Sequence, residues 1–96
     1  MRIAGVDYSM TSPAICTHIG DRWDVNNCKF YFLTKTKRLA CKHMDGIICG
    51  HMLKDYSCQE ERFDLISHWA MKKMMMFDHV LLEGYAFAAT GRGFDV

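Results

Sequence analysis

Two carboxylates close short apolar runs in this chain: Asp7 follows Ile3, Ala4 and Val6 in MRIAGVDYSMTSPAI, and Glu83 follows Val80, Leu81 and Leu82 in VLLEG. Each run has the composition of a buried strand, and an aspartate or glutamate there is costly unless a cation or strong donors compensate it. A strand that follows a helical crossover usually lies parallel to an earlier strand, so both acids are expected at the same, carboxyl end of one sheet. Like charges that close do not both ionise without a divalent cation between them, and a hard ion such as magnesium, or manganese in its place, suits oxygen ligands. Asp7 and Glu83 are therefore the candidate metal ligands.

Around them stand groups suited to phosphate. Ser9, Thr11 and Ser12 place hydroxyls in the turn after Asp7, and Lys35, Lys37, Arg38 and Lys42 bring four basic side chains into nine residues, enough to track a phosphate backbone. Arg92, between Gly91 and Gly93, offers a further guanidinium to a phosphate. Each has a plainer reading: a polar turn capped by aspartate, a solvated loop leaving a sheet edge whose lysines discourage aggregation, and a frayed terminus.

The elements that would carry these residues follow from pattern. Ala14 to Ile19 reads as a second strand and Cys28 to Thr34, CKFYFLT, as a third, with Gly20, Asp21 and Asp24 to Asn27 as turn chemistry between them. Three consecutive strands predict an antiparallel meander. Met44 to Tyr56 shows no clean period and is left unassigned. From Ser57 the spacing turns helical: Ser57 and Glu60 form a capping-box pattern, and Phe63, Ile66, Trp69, Ala70, Met74 and Phe77 fall on one face. The helix should run to about Met76, with Glu60, Glu61 and Asp64 near its start and Lys72 and Lys73 near its end, as the macrodipole favours. Asp78 and His79 end it, and Val80 to Gly84 is the next strand.

The 96 residues suffice for a single small domain spanning 1–96, half hydrophobic and about a quarter charged, with one proline, which is the profile of a folded chain. A net charge of +1 leaves any nucleic-acid role to a local patch rather than a global field. Five cysteines without a CxxC pair, and a chain that opens directly on a strand without a signal peptide, predict a reducing, cytoplasmic setting. No apolar run approaches the roughly 20 residues of a membrane-spanning helix, and no membrane association is expected.

With Asp7 in IAGVDYSMTSPAI and Glu83 in VLLEGYAF, the chain resembles the RuvC-like Holliday-junction resolvases of the RNase H-like superfamily, especially small phage-encoded members. In that family the first strand carries a catalytic aspartate before a Ser/Thr-rich turn, and the strand after the first helix carries a catalytic glutamate before aromatic and small residues. The resemblance implies an α/β, RNase H-like fold: a three-strand antiparallel meander, one helix, and a fourth strand parallel to the first. It also implies a Mg2+- or Mn2+-dependent endonuclease acting on branched DNA, with Asp7 and Glu83 catalytic in two-metal phosphodiester hydrolysis. The family pattern continues with further helices and a last strand, and its final helix adds one or two acidic ligands. This chain reaches Val96 before any of that, and Asp95 is too early to replace them. The expectation is an amino-terminal portion whose open edge and uncovered apolar face call for self-association or a complementing carboxy-terminal polypeptide.

Other classes compete. Cys41, His43, Cys49, His51 and Cys58 make a cluster of zinc-ligand types with a repeated Cys-x-His pair, although Cys-x-His places both side chains on one face only in extended chain. A non-catalytic binding or assembly protein on a nuclease scaffold is a further alternative. The actin-like ATPases share a strand, aspartate and hydroxyl turn, but need a second phosphate loop that is absent here.

Overall fold

In the computed structural model, residues 1–9 and 12–82 are described. Thr11, Glu83 and Arg92, named above for chemistry, lie outside them. The first two strands, β1 (Arg2–Asp7) and β2 (Ala14–Ile19), form an antiparallel hairpin from Arg2↔Ile19 to Asp7↔Ala14. The third strand, β3 (Cys28–Thr34), completes the meander through Ala14↔Phe32 and His18↔Cys28. Strand alternation sorts these residues: Ala4, Val6, Ile15 and Leu33 are buried on one face, and Gly5, Asp7, Cys16 and Phe30 belong to the other.

Among the described residues the sheet has six strands, against the four expected from sequence, in the order β4-β5-β3-β2-β1-β6. The additional pair is β4 (Lys42–His43) and β5 (Ile48–Met52), in the basic stretch and in the aperiodic stretch that follows it. β5 runs parallel to β3 and β4 antiparallel to β5. Their pattern is unreadable for a physical reason. The turn at Lys37–Leu39 crosses β5 so closely that a Cβ on Gly50 would run into the Leu39 carbonyl oxygen and sit 2.7 Å from the Phe32 ring. A glycine buried by backbone carries no hydrophobic signal.

The one described α-helix, α1 (Gln59–Met74), starts after an N-cap at Cys58. Its capping acid is Glu61, one residue later than expected. The Glu61 carboxylate accepts from the Ser57 backbone N–H at 2.7 Å and from the Ser57 hydroxyl at 2.8 Å, and these bonds hold its pKa below the usual glutamate value. The buried face is the expected one from Ile66 onward, with Trp69 and Phe77 packed against the core, and departs from it only in the first turn. It consists of Arg62, Ile66, Ala70 and Met74, while Phe63 is 48% exposed.

Helix packing divides the core into two adjoining parts. Ala70 and Met74 meet Ala4, Val6 and Ile15, and Ile66 meets Leu33 and Leu53; Trp69 touches both clusters. The indole Nε1 of Trp69 also donates to Nδ1 of His51 at 3.0 Å. After α1 the chain returns as β6 (His79–Leu82), parallel to β1 from Ile3↔His79 to Val6↔Leu82. Asp78 fixes that register: its carboxylate accepts from the Arg2 N–H at 2.9 Å while its own N–H donates to the Arg2 carbonyl at 2.8 Å.

β6 is exposed along its whole length, contrary to the expectation of a buried strand, because it lies at the sheet edge, outside both clusters that α1 forms with the inner strands. The sheet face opposite α1 carries Phe30, Met52 and Leu81, the last 65% exposed. No described helix is long and apolar enough to cross a membrane.

Candidate functional site

Strands β1, β3, β5 and β6 run in one direction, so their carboxyl ends gather at one edge of the sheet, the usual address of sites in α/β folds. The crossover from β5 places the start of α1 at the same edge. Asp7 ends β1 there. It is exposed, which corrects the expectation of a buried aspartate: Ala4 and Val6 form the buried part of the run, and the charge stands just beyond it. Among the described residues no hydrogen bond or ion pair engages the Asp7 carboxylate, so it is available to a hard divalent cation. It shares a trough of about 440 Å³ with Gly5, Cys16, Phe30, Phe32 and Leu81 on the face away from α1. Burial and the neighbouring Cys28 raise the Cys16 pKa above the ordinary thiol value, which keeps this cysteine protonated and inert at neutral pH.

The described pairing of β1 with β6 ends at Val6↔Leu82. Those residues immediately precede Asp7 and Glu83 in sequence.

The basic and hydroxyl groups do not form a single patch. Ser12 and Lys35 lie at the carboxyl edge, where they line one cavity with Thr34, Thr36, Tyr56 and Arg62. Ser9 is held in the turn, its Oγ accepting from the Ser12 N–H at 3.2 Å. Lys37 and Arg38 are exposed on the short turn over β5. Lys42 lines a different cleft, about 790 Å³, with Asn26, Lys29 and Asp45 near the start of β3. Closeness in sequence failed to become closeness in space because β4 carries Lys42 back along the sheet.

The zinc-type residues separate as well. Cys41 Sγ lies 3.5 Å from His43 Nε2, and His43 stacks on Phe32, on the face away from α1. His51 instead stacks on Tyr31 and meets Trp69 beneath the helix, and Cys49 alternates onto that same face. Among the described residues no group of three or more His, Cys, Asp or Glu is placed to hold a metal ion. A common centre for Cys41, His43, Cys49 and His51 is ruled out by the alternation of the strands themselves.

Sequence reasoning passed over Arg62 and Tyr56. The signal for Arg62 was present: it extends the row Ile66, Ala70, Met74 backwards by four residues, a spacing that keeps it on the buried face.

No protein-family model matches the chain, and neither a curated protein nor a solved structure matches it significantly. The class that the geometry defines is α/β, with a six-stranded mixed sheet and one α-helix among the described residues.

Proposed function

We propose that this chain is a nuclease-type domain of RNase H-like, RuvC-like design, acting on structured DNA such as a Holliday junction. The observation that carries the reading is the register of β1 against β6. A parallel pair that aligns Val6 with Leu82 brings together the two residues that immediately precede Asp7 and Glu83 in sequence, which favours the two acids as partners in one cation site. Support also comes from the order β3-β2-β1-β6, an antiparallel meander with the post-helix strand beside the first, which is the arrangement the resemblance implies.

Asp7 and Glu83 would hold the divalent cation. When bound, Mg2+ or Mn2+ supplies charge stabilisation for phosphodiester hydrolysis and a water acidic enough to attack at neutral pH. The residues of the chain itself orient the scissile phosphate: the Ser9, Thr11 and Ser12 turn lies beside Asp7 in sequence, and Lys35 stands at the same sheet edge. The apolar face bearing Phe30 and Leu81 supports an assembly in which a second copy or a completing polypeptide covers it.

The test is cleavage of a four-way DNA junction, with linear duplex as control, in Mg2+ or Mn2+ by protein of measured solution mass. Asp7→Asn and Glu83→Gln should each lower junction cleavage by roughly two orders of magnitude or more without altering the mass. Unchanged cleavage in Asp7→Asn removes the catalytic assignment. A folded assembly that binds junctions and never cleaves them favours the non-catalytic scaffold instead.

A further inference from the structure

Arg62 is the least expected residue in the core. Only 8% of it is exposed, its Nε has no hydrogen-bond partner, and among the described residues no carboxylate lies within ion-pair distance of it. Its sequence neighbour Glu61 is engaged by Ser57. A guanidinium stays charged at any ordinary pH, and a buried charge without a counter-ion is strongly unfavourable. This one borders a cavity of about 330 Å³ whose lining includes Ser12, Thr34, Lys35, Thr36 and Tyr56. Two cations lie over the Tyr56 ring, with Lys35 Nζ 4.2 Å and Arg62 Cζ 5.7 Å from its centre.

The chemistry of the lining is one-sided. Arg62 and Lys35 are donors without acceptor capacity, the hydroxyls adapt to either role, and no acid side chain is among the lining residues. α1 begins at this same edge, so its dipole adds positive potential. We propose that this cavity is a phosphate-binding subsite, with the Arg62 guanidinium as its fixed fork and Lys35 as a second, mobile charge. A planar fork matches two oxygens of a phosphate, and that ligand compensates the charge buried in the apo chain. The group bound is a phosphate, carried either on a nucleic-acid backbone or free in solution. The subsite shares Ser12 and Lys35 with the groups that orient the scissile phosphate in the proposed function, but phosphate binding by Arg62 does not need the cation at Asp7 and Glu83, so either assignment can fail without the other.

The experiment is a titration of the full chain with inorganic phosphate at constant ionic strength, read by thermal unfolding and calorimetry, with acetate and chloride as controls. Phosphate should raise the melting temperature saturably, and the controls should not. Arg62→Met removes a buried charge while keeping an apolar stem, so it should match or exceed the wild-type melting temperature without phosphate and lose at least about tenfold in phosphate affinity. Lys35→Ala, at an exposed position, should fold as wild type and bind phosphate several-fold more weakly. A short single-stranded oligonucleotide that displaces phosphate assigns the subsite to a nucleic-acid backbone; phosphate binding that the oligonucleotide leaves untouched assigns it to a free anion. Equal stabilisation by acetate or chloride overturns the proposal, as does unaltered phosphate affinity in Arg62→Met. If Arg62→Met fails to fold, unaltered affinity in Lys35→Ala overturns it alone.

Discussion

His51 shows how one side chain couples the sheet to the helix. Trp69 Nε1 donates to His51 Nδ1, so the ring must keep that nitrogen unprotonated. Burial, with the Lys73 ammonium adding to it, lowers the His51 pKa from the ordinary 6.5; Tyr31, whose own pKa burial and Cys49 raise, stacks on the same ring. The unfolded chain therefore binds more protons than the folded one between the two His51 pKa values. Stability from this contact is complete above about pH 6.5 and declines as pH falls toward the lowered folded value. Chemical denaturation from pH 8 to pH 5 should show that decline in wild type and a shallower one in His51→Gln; equal slopes would mean that His51 is not the titrating group. Gly50 makes a second prediction at this scale. Because a Cβ would meet the Leu39 carbonyl and the Phe32 ring, Gly50→Ala should destabilise by about 1–3 kcal/mol in urea unfolding, whereas an unperturbed midpoint would show that the Lys37–Leu39 turn yields freely.

Among the elements, β6 depends on its first hydrogen bonds, since it is an exposed edge strand with little burial to hold it. The Arg2 N–H lowers the Asp78 pKa from its ordinary value, and the Arg2 guanidinium, 3.7 Å away, adds to the effect. Asp78→Ala should therefore leave the core of α1 intact while the amides of His79–Leu82 exchange with solvent markedly faster. Protection equal to wild type would place the register elsewhere. The elements differ in how openly their sequences announce them, and the reason is what surrounds each one. Strands β2 and β3 have the expected bounds because β-branched and aromatic residues face a core on one side and remain uninterrupted. The β4 and β5 pair is hidden because backbone, rather than side chains, covers Gly50. Helix α1 is recognisable from its period, and so is its buried face except in the first turn. Phe63 is the better hydrophobe and Arg62 the buried residue, a conflict between local preference and final structure of the kind that functional sites produce. Asp7 is legible as a strand-end acid, whereas its exposure depends on where the turn leaves the sheet.

Over the molecule as a whole, the two faces of the sheet are unequal. One is closed by α1 through Ile66, Ala70 and Met74, and the other leaves Phe30 and Leu81 to solvent beside the Asp7 trough. In the proposed reading the shared carboxyl edge divides its work between two sites, a cation held by Asp7 and Glu83 and a phosphate held by Arg62 and Lys35. Four strands end at that edge and the helix begins there. The central claim, that the ends of β1 and β6 hold one cation, can be tested apart from any cleavage by titrating Mn2+ into the labelled chain and following paramagnetic broadening of its amide signals. Val6 and Leu82 should broaden together at low Mn2+, and Asp7→Asn should abolish the effect at both. Broadening confined to the Cys41 and His43 pair, or broadening at Val6 and Leu82 that survives Asp7→Asn, would contradict it.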